Sequence, residues 1–586
     1  MHFWDYTIII AYLLLAFGIG LYFRKRAGKS TEDFFLGGRN LPWYLAGLSM
    51  VATTFASDTP LAVTEFVRKD GISGNWIWWN MLAGGLFTTF FFARLWRRAG
   101  IITELELINI RYSGKAAQWL RGIKAVFYGL VMNIIIMGWV NLAMIKVLQT
   151  FYPALPIETL YLILFGLMLM TTIYAAVSGL YGVVFTDALQ FCIAMASTVV
   201  LAFYVVGSEQ VGGLSGLRAQ LPEATLDFFP SISNTDTVGL TLAPLAFLTM
   251  VGLQWWGIWY PGNEPGGGGY IAQRMMAAKD EKHALGATLF FQIFNYALRP
   301  WPWILIGLAS FVLYPGLEEG NYAAGFTNAM RDYLPTGLQG LLLVAFLAAY
   351  MSTISTHLNW GTSYLINDLY QPYLLKRDDQ KKLVNASRIL TFILLVISVL
   401  ATLNMTSIKS AWEFLLQCGA GVGFVLILRW FWWRMNAWSE ITATLVPFIS
   451  FGVFAVLHQL VDDGDPEGFW VAPNTLLMGA SVTIFMTLVV TFLTPATPED
   501  KLRAFYQRVR PHGSWAHVRD AQGPLGAPLW VTTLAWLSGM MMVYGLMFGV
   551  GKLLLMAPND ALLWLGVSLL GGLALGVLVQ RYRLFK

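Results

Sequence analysis

Long apolar stretches recur along the whole chain, and they constrain the fold more than any other feature. A helix needs about 20 apolar residues in a row to cross the hydrocarbon core of a bilayer. Of the 586 residues, 57 % are hydrophobic and 12 % are charged, which is the balance of a membrane protein. The sequence therefore predicts an all-α polytopic membrane protein. We predict fifteen spans, at roughly 4–23, 42–67, 73–96, 120–149, 157–177, 180–207, 241–260, 284–314, 337–369, 386–404, 408–432, 437–459, 473–494, 530–551 and 560–580.

Positive charges fall in alternate loops, which predicts an orientation. Loops rich in Lys and Arg stay in the cytoplasm, and the other loops of this chain are poor in basic residues, Arg68 and Lys69 being the clearest exception. We expect a multi-pass protein of the inner (plasma) membrane with its N-terminus outside and its C-terminus in the cytoplasm. The predicted cytoplasmic segments lie at 24–26, 94–124, 274–282, 376–382, 429–434, 501–519 and 581–586.

Several classes of protein do not fit the sequence. The two cysteines, Cys192 and Cys418, lie in apolar segments and give neither a disulfide framework nor metal-ligand spacing. The net charge of +5 gives no reason to expect a nucleic-acid partner. The glycine-rich run GNEPGGGG at 262–269 lacks the Gly-Lys-Ser/Thr of a phosphate-binding loop, and we interpret it as a flexible joint. The sequence shows no recognisable set of catalytic residues, so we do not expect an enzyme.

Two predicted spans are interrupted at their centres. The first contains ATTFASDTP at 52–60, and the second, 241–260, contains Gly252, Gln254 and Gly257. Each opens a group of five spans, and matching interruptions of this kind are typical of inverted-repeat transporters with a site at the membrane midplane. Because Pro and Gly are common in membrane helices generally, ordinary kinks remain an alternative.

The interruptions also suggest a division of the chain. Because five is odd, the second group must cross the membrane in the opposite sense to the first. The predicted parts are a leading helix and loop at 1–41, a first repeat at 42–207, an extracellular loop at 208–240, a second repeat at 241–435, and peripheral helices at 436–586 with a cytoplasmic loop at 495–529.

A cluster of hydroxyl side chains lies in the ninth span, within residues 348–370. On a helix, Ala349, Ser352, Thr353 and Thr356 share one face at positions i, i+3, i+4 and i+7. Small residues on such a face let a neighbouring helix approach closely, and adjacent hydroxyls offer oxygen lone pairs to a small, hard cation. The alternative is that each hydroxyl bonds back to the carbonyl one turn earlier.

Four of the ionisable residues within predicted spans are candidates for a function, because a charge there costs about 2.5–3.5 kcal/mol on insertion scales. Asp58 is a candidate to bind a cation or a substrate amine, and Arg299 is a candidate to bind a substrate carboxylate. Alternatively, these two neutralise each other. Asp187 is a candidate for a cation exit route, or simply lies near the interface. His357 either shuttles protons or is neutral and hydrogen-bonded.

The chain resembles the sodium:solute symporter family, which includes sodium/glucose, sodium/proline and sialic-acid symporters. The similarity covers about 30–440, and the resemblance implies a ten-helix inverted-repeat core like that of the bacterial leucine transporter, with sodium as the co-transported ion. It is carried by DFFLGGRNLPWYLAGLSMVAT (33–53), AGIITELELINIRY (99–112), SGLYGVVFTDALQ (178–190), YIAQRMMAAKD (270–280), LAAYMSTISTHLNWGTSYLINDLY (347–370) and FWWRMNAWSEI (431–441).

The resemblance also implies a sodium site between the first and eighth core helices. Matched residue by residue, the site would use backbone carbonyls of the unwound first helix and, from the eighth, one carbonyl and two hydroxyls. These ligands are Ala52, Phe55, Ala349, Ser352 and Thr353. Asp187 matches an aspartate linked to sodium release. Asp58 matches one that the proline symporters use near sodium or substrate.

The expected solute is less closely defined by the resemblance. Where the sugar symporters carry a Glu and a sugar-binding Lys, this chain has Trp78 and Asn295, and Arg299 lies one turn further on. We therefore expect a small organic solute bearing a carboxylate, such as an amino acid, contacted by Asp58, Thr59 and these three residues. The first alternative is a sugar or polyol symporter. The second is a proton-coupled transporter or a non-transporting membrane enzyme.

Overall fold

The computed structural model describes most of the chain, and its helices follow the apolar stretches. The described residues are 2–27, 30–232, 241–242, 244–318, 320–375, 379–405, 408–465, 468–520 and 523–584. Parts of the predicted loops and tails at 1–41, 208–240, 376–382, 495–529 and 581–586 therefore lie outside them. Within the described residues, ten helices are long and apolar enough to cross a membrane.

These ten helices account for all but four of the predicted spans. The helix Ile157–Val206 carries two of them, because Gly179 adopts a non-helical conformation (φ 57°, ψ −164°) that kinks the run without a loop. The four remaining spans are helical in shorter pieces. The fold class is confirmed, whereas the number of fifteen crossings stays a prediction.

The first group of spans begins with a helix in two halves, Trp43–Thr53 and Thr59–Asp70. The second half restarts where Pro60 occupies an early helical position that needs no backbone N–H donor. Before this group come Phe3–Ala27, Thr31–Leu36 and the 3₁₀ turn Gly37–Arg39. After the broken helix come the 3₁₀ turn Ile72–Asn75, then Trp76–Trp79, Leu82–Phe87, the π-helical Thr88–Phe92, Ala93–Ala99, Glu106–Arg111, Gly114–Val126, the π-helical Phe127–Met132, Asn133–Phe151 and Ile157–Val206.

The second group also begins with a broken helix, formed by Pro244–Thr249, the π-helical Met250–Gln254, Trp255–Gly257 and, after a loop, Gly269–Ala277. The connection between the groups contains Gly213–Gln220, the 3₁₀ turn Glu223–Leu226 and two parallel two-residue strands, Ser231–Ile232 and Thr241–Leu242. The rest of the group comprises Glu281–Gln292, the π-helical Ile293–Leu298, Pro300–Leu313, Ala324–Tyr333, Leu338–Tyr364, the π-helical Leu365–Leu375, Gln380–Thr402, Ile408–Cys418 and Val422–Phe431.

The C-terminal part adds Ala437–Val461, Asn474–Leu493, Glu499–Val509, Leu529–Leu554 and Pro558–Arg581. The last two form a hairpin in which glycines such as Gly545 lie directly against the partner helix. This hairpin also braces the core, since Tyr544 Oη donates to the carbonyl of Trp79 at 2.9 Å. The loop before it is not freely solvated, because Phe505 and Trp515 are buried and Trp515 Nε1 donates to the carbonyl of Trp430 at 3.1 Å.

Four of the predicted cytoplasmic segments, 94–124, 274–282, 429–434 and 501–519, lie together at one end of the bundle, which we call the basic face. Ion pairs between distant segments join them, namely Arg98–Glu281 (2.7 Å), Arg121–Asp368 (2.6 Å), Arg429–Glu104 (3.2 Å) and Lys124–Glu440. The buried Arg111 donates to four carbonyls between 429 and 435. The side of the membrane that this face occupies stays a prediction.

The exceptional Arg68 lies at the opposite end of the bundle and is buried in protein. Its Nη1 donates to the carbonyl of Ser310 at 2.8 Å, and its guanidinium lies over the rings of Phe311 and Tyr322 at 4.7 and 5.1 Å. A cation satisfied in this way does not need the cytoplasmic side. This packing explains why Arg68 departs from the alternation of charge.

Candidate functional site

The first broken helix unwinds between Thr53 and Thr59, as its polar sequence predicts. The carbonyl of Ala52 accepts the N–H of Phe55 at 3.1 Å, which closes a short turn. The carbonyl of Thr53 instead accepts the Thr353 hydroxyl of the long helix Leu338–Tyr364 at 3.0 Å. A carbonyl freed from a helix is thus already used to tie the two elements together.

The hydroxyl face of the long helix lies against this unwound segment. The Thr353 hydroxyl also reaches the carbonyl of Ala349 at 3.1 Å, and Thr356 Oγ1 lies 3.1 Å from Thr53 Oγ1. Ala349, Ser352 and Thr353 are all buried. The structure therefore brings together the segments that carry the predicted sodium ligands, while their role as ligands stays a prediction.

Asp187 lies directly at the junction between the unwound segment and the long helix. A separate exit route for the cation would place it further from the predicted sodium ligands. Its carboxylate accepts the hydroxyls of Ser352 at 2.7 Å and Ser49 at 2.5 Å. Arg274 Nη2 lies 3.6 Å away, and Asp187 has no exposed surface. A hydroxyl that donates its proton to a carboxylate keeps its oxygen lone pairs available for a cation. The arrangement is therefore compatible with Ser352 as a sodium ligand.

Arg274 is a central residue of the site that the sequence analysis missed. It was counted among the basic residues of the loop at 274–282, but the structure corrects this: it belongs to the helix Gly269–Ala277 and is fully buried. It donates to the side chains of Ser49 (3.1 Å), Gln273 (2.9 Å) and Thr356 (2.7 Å). Arg274 thereby connects both broken helices with the long helix. Arg274 lies within YIAQRM, part of a segment that carries the family resemblance. That position is the sequence feature by which its role could have been recognised.

A cavity of about 170 Å³ adjoins the junction. Every residue predicted to contact the solute lines it, and Thr53 and Thr353 line it as well. Those predicted residues are Asp58, Thr59, Trp78, Asn295 and Arg299. Residues that the sequence analysis did not single out for the solute complete the wall, notably Gln254, Asn263, Tyr270, Tyr296, Trp139 and Trp412.

Asp58 and Arg299 do not neutralise each other by direct contact, since the described residues include no ion pair between them. Both are buried, and both retain unused hydrogen-bonding capacity: Asp58 Oδ1 and Arg299 Nε have no partner. Arg299 Nη1 donates to the carbonyl of Val51 and the hydroxyl of Thr54, and the guanidinium lies 5.2 Å from the ring centre of Trp303. The cavity therefore offers an acceptor and a donor of opposite charge.

Aromatic rings and neutral polar groups form much of the remaining wall. Trp78 stacks on Tyr296 with ring centres 5.5 Å apart, and Asn295 accepts the hydroxyl of Thr54 at 3.2 Å. His357 Nδ1 lies 2.7 Å from the side-chain oxygen of Asn133. These contacts favour the hydrogen-bonded interpretation of the histidine over a proton shuttle.

The glycine loop, residues 262–269, joins the two halves of the second broken helix and is tightly packed. The carbonyl of Gly266 accepts Trp96 Nε1 at 2.8 Å. A Cβ on Gly262 (φ +82°) would lie 2.0 Å from the Tyr270 hydroxyl, and one on Gly267 (φ +80°) would lie 2.7 Å from Trp96. Close approach and positive φ thus require these glycines in this conformation, and the interpretation as a flexible joint stays a prediction.

Together, the two broken helices, the oxygen-rich junction and the adjoining cavity define a secondary transporter of the inverted-repeat class. A model of the sodium:solute symporter family matches residues 34–446. This chain belongs to that family. The resemblance noted in the sequence is thereby confirmed, as is sodium as the co-transported ion.

The relatives of known activity include several transporters of sugars and polyols. The chain is 26 % identical to a sodium/glucose cotransporter of Vibrio parahaemolyticus, covering 78 % of this chain and 87 % of that protein. It is 24 % identical to a sodium/mannose cotransporter of Bos taurus, covering 84 % and 80 %. It is 23 % identical to sodium/myo-inositol cotransporter 2 of Oryctolagus cuniculus, covering 90 % and 81 %.

A solved structure supports the fold. A Na⁺-coupled sialic acid symporter in a substrate-bound, outward-open state superposes with a TM-score of 0.68 at 20 % sequence identity. The match covers 85 % of this chain and 99 % of the symporter. The likeness therefore covers most of this chain and supports the common fold.

Proposed function

We propose that this protein couples the entry of sodium to the uptake of a sugar or polyol by alternating access, with the basic face in the cytoplasm. The cavity carries the proposal: the Trp78–Tyr296 stack and the unpaired Asp58 and Arg299 groups line it together, beside Thr353. The named activities of the relatives above point the same way. They favour a sugar or polyol over the carboxylate-bearing solute that Arg299 alone suggested.

The chemistry of a sugar matches this wall. A sugar ring has an apolar C–H face, which packs on aromatic rings, and an edge of hydroxyls, which need both donors and acceptors. Asp58 Oδ1 can accept, Arg299 Nε can donate, and the Asn295 amide can do both. A solute with a carboxylate and no amine would pair with Arg299 and leave the buried charge of Asp58 uncompensated, at a cost in free energy. An amino acid avoids that cost and is the alternative to test.

Sodium and solute share parts of the site, which gives a physical basis for coupling. Thr53 and Thr353 line the cavity and also join the first broken helix to the long helix. A sodium ion held by Ser352, Thr353 and the carbonyls of Ala52, Phe55 and Ala349 would fix this wall before the solute binds. Each positive charge that then moves inward gains about 2.3 kcal/mol per 100 mV of membrane potential.

This scheme assigns a role to each part of the chain. We assign the two repeats to 42–207 and 241–435, whose relative rocking exposes the cavity to either side. The segment 208–240 is their extracellular connection. The leading part, 1–41, and the peripheral helices, 436–586, surround this core.

A ligand screen tests the proposed substrate class. In buffer containing sodium, we expect a sugar or polyol to raise the melting temperature of the purified protein, because binding at 100 times Kd adds about 2.7 kcal/mol of stability. Amino acids and organic acids should have no effect, and the shift should vanish when choline replaces sodium. A screen in which only an amino acid or an organic acid stabilises the protein would refute the sugar assignment.

We expect Asp58→Asn to weaken solute binding and to leave sodium binding unchanged. The amide keeps the shape of the side chain but removes a charged acceptor, and a hydrogen bond to a charged group contributes about 1.5–3 kcal/mol, or roughly 10- to 150-fold in Kd. Calorimetric titration with sodium, and with the solute found in the screen, separates the two effects. Glu65→Gln, on the same helix but outside the cavity lining, is the matched control. An equal loss of sodium affinity would place Asp58 in the ion site.

A further inference from the structure

Glu264, in the glycine loop, is a buried acid with almost no stabilising partner. Its side chain is 2 % exposed. One carboxyl oxygen accepts the N–H of Gly262 at 3.2 Å, and the other has no partner. Among the described residues no Lys, Arg or His forms an ion pair with it. An ionised carboxylate in such a place costs several kcal/mol, so the surroundings favour the protonated acid.

The neighbouring acid, Glu104, has the opposite environment. It accepts the N–H of Gly269 and the hydroxyl of Tyr364, both at 2.8 Å, and pairs with Arg429 at 3.2 Å. Glu104 is therefore satisfied by three donors, one of them the guanidinium of Arg429. The two acids are close, because a Cβ on Gly268 would lie 3.0 Å from Glu264 Cβ and 3.1 Å from Glu104 Oε2. A fixed negative charge at this distance further opposes ionisation of Glu264.

The other titratable groups that face Glu264 do not supply a positive charge. They are the phenols of Tyr128, Tyr270 and Tyr364, one from each of three packed segments. The nearest paired cation, Arg429, is used by Glu104 and lies 3.6 Å from Glu440. Glu440 itself also pairs with Lys124. None of these residues therefore provides a positive charge that would compensate an ionised Glu264.

The glycine loop also places Glu264 between the cavity and the basic face. Gly262 and Asn263, just before it, and Tyr270, just after it, line the cavity. Glu104 and Arg429 belong to the ion-pair network of the basic face. An opening of the cavity along this loop toward that face would bring water to this carboxyl group.

We propose that Glu264 carries a proton in the conformation described here and releases it when the cavity opens toward the basic face, so that this sodium symporter also moves a proton. The O–H bond breaks, the proton passes to water at the basic face, and the electron pair stays on the carboxylate. On return, the carboxylate takes a proton from water in the cavity. The proposal depends on alternating access and is independent of which solute is carried.

Infrared spectroscopy of the sodium-bound protein, without any solute, tests the protonation directly. We expect the parent protein to show the carbonyl band of a protonated carboxylic acid at neutral pH. In Glu264→Gln the intensity of this band should fall by the contribution of one carboxylic acid. The control Glu106→Gln, which alters a half-buried acid bonded to the N–H of Ile102, should keep the full band. Melting curves establish that the variants are folded. An unchanged band in Glu264→Gln overturns the proposal, whatever the outcome of the ligand screen.

A transport measurement tests the movement of the proton. Glucose and mannose serve as probes in liposomes with a fixed sodium gradient. Acidifying the outside should raise the initial uptake rate several-fold for the parent protein and for Glu106→Gln, and should have no effect on Glu264→Gln. The same response to pH in Glu264→Gln would overturn the proposal. If neither hexose is carried, the ligand screen decides on the substrate class and the infrared result alone decides for Glu264.

Discussion

The double variant Ser352→Ala, Thr353→Ala is expected to lose sodium-dependent uptake while it still folds and inserts. Both hydroxyls lie where the long helix meets the unwound first helix, and each donates to a buried acceptor there. Contacts to a charged partner contribute about 1.5–3 kcal/mol each. Removal of two such ligands should therefore weaken sodium binding by about 100-fold or more. The fold should survive, because Asp187 keeps its contacts with Ser49 and Arg274.

The matched control for this variant is Ser363→Ala. Ser363 is buried on the same helix, but its hydroxyl bonds only to the carbonyl of Trp360, within its own helix. It should bind sodium and transport solute as the parent protein does. Sodium titration of uptake into liposomes, at matched amounts of protein, is the measurement. A double variant with the parent's sodium dependence would refute the site assignment.

The second large effect is expected for Asp187→Asn, which should lower both stability and transport. The change removes the charged partner of the fully buried Arg274. Breaking a buried ion pair from one side typically costs about 3–5 kcal/mol, because the remaining charge is left without compensation. The melting temperature of the detergent-purified protein should therefore fall clearly, and sodium-driven uptake should be lost with it.

A second substitution separates the loss of stability from the loss of transport in Asp187→Asn. In Asp187→Asn, Arg274→Gln no buried charge is left alone, so much of the lost stability should return, whereas transport should not. Asp332→Asn, which removes an exposed pair with Arg331, is the control and should change stability by no more than about 1 kcal/mol. A stable, non-transporting double variant would place the Asp187–Arg274 pair in the coupling mechanism. Parent-like stability of Asp187→Asn would refute the importance of the pair.

The fold was largely predictable because its main signals are local. Apolar length marks the spans, and residues such as Asp58 and Pro60 mark a break within a span wherever the rest of the chain lies. The adjacent hydroxyls of Ser352 and Thr353 were recognisable for the same reason. Each of these features can be identified from about twenty consecutive residues.

The centre of the site was less predictable because it depends on distant contacts. Asp187 meets Ser49, which lies 138 residues earlier in the chain, and Arg274 meets Ser49 from 225 residues away. A basic residue near the end of a span looks like a loop charge, which is how Arg274 was misassigned. Arg299 taken alone suggests a carboxylate ligand, whereas in the structure Asp58 lines the same cavity.

The ion pairs of the two membrane faces make the transport cycle asymmetric. At the basic face, four pairs join segments far apart in sequence. Among the described residues at the other face, pairs such as Arg331–Asp332, His458–Asp462 and Lys552–Asp560 stay within one helix or one hairpin. Opening toward the basic face would separate segments that these pairs join, whereas opening the other way would leave the pairs intact. We therefore expect the carrier without sodium and solute to rest with its cavity closed toward the basic face.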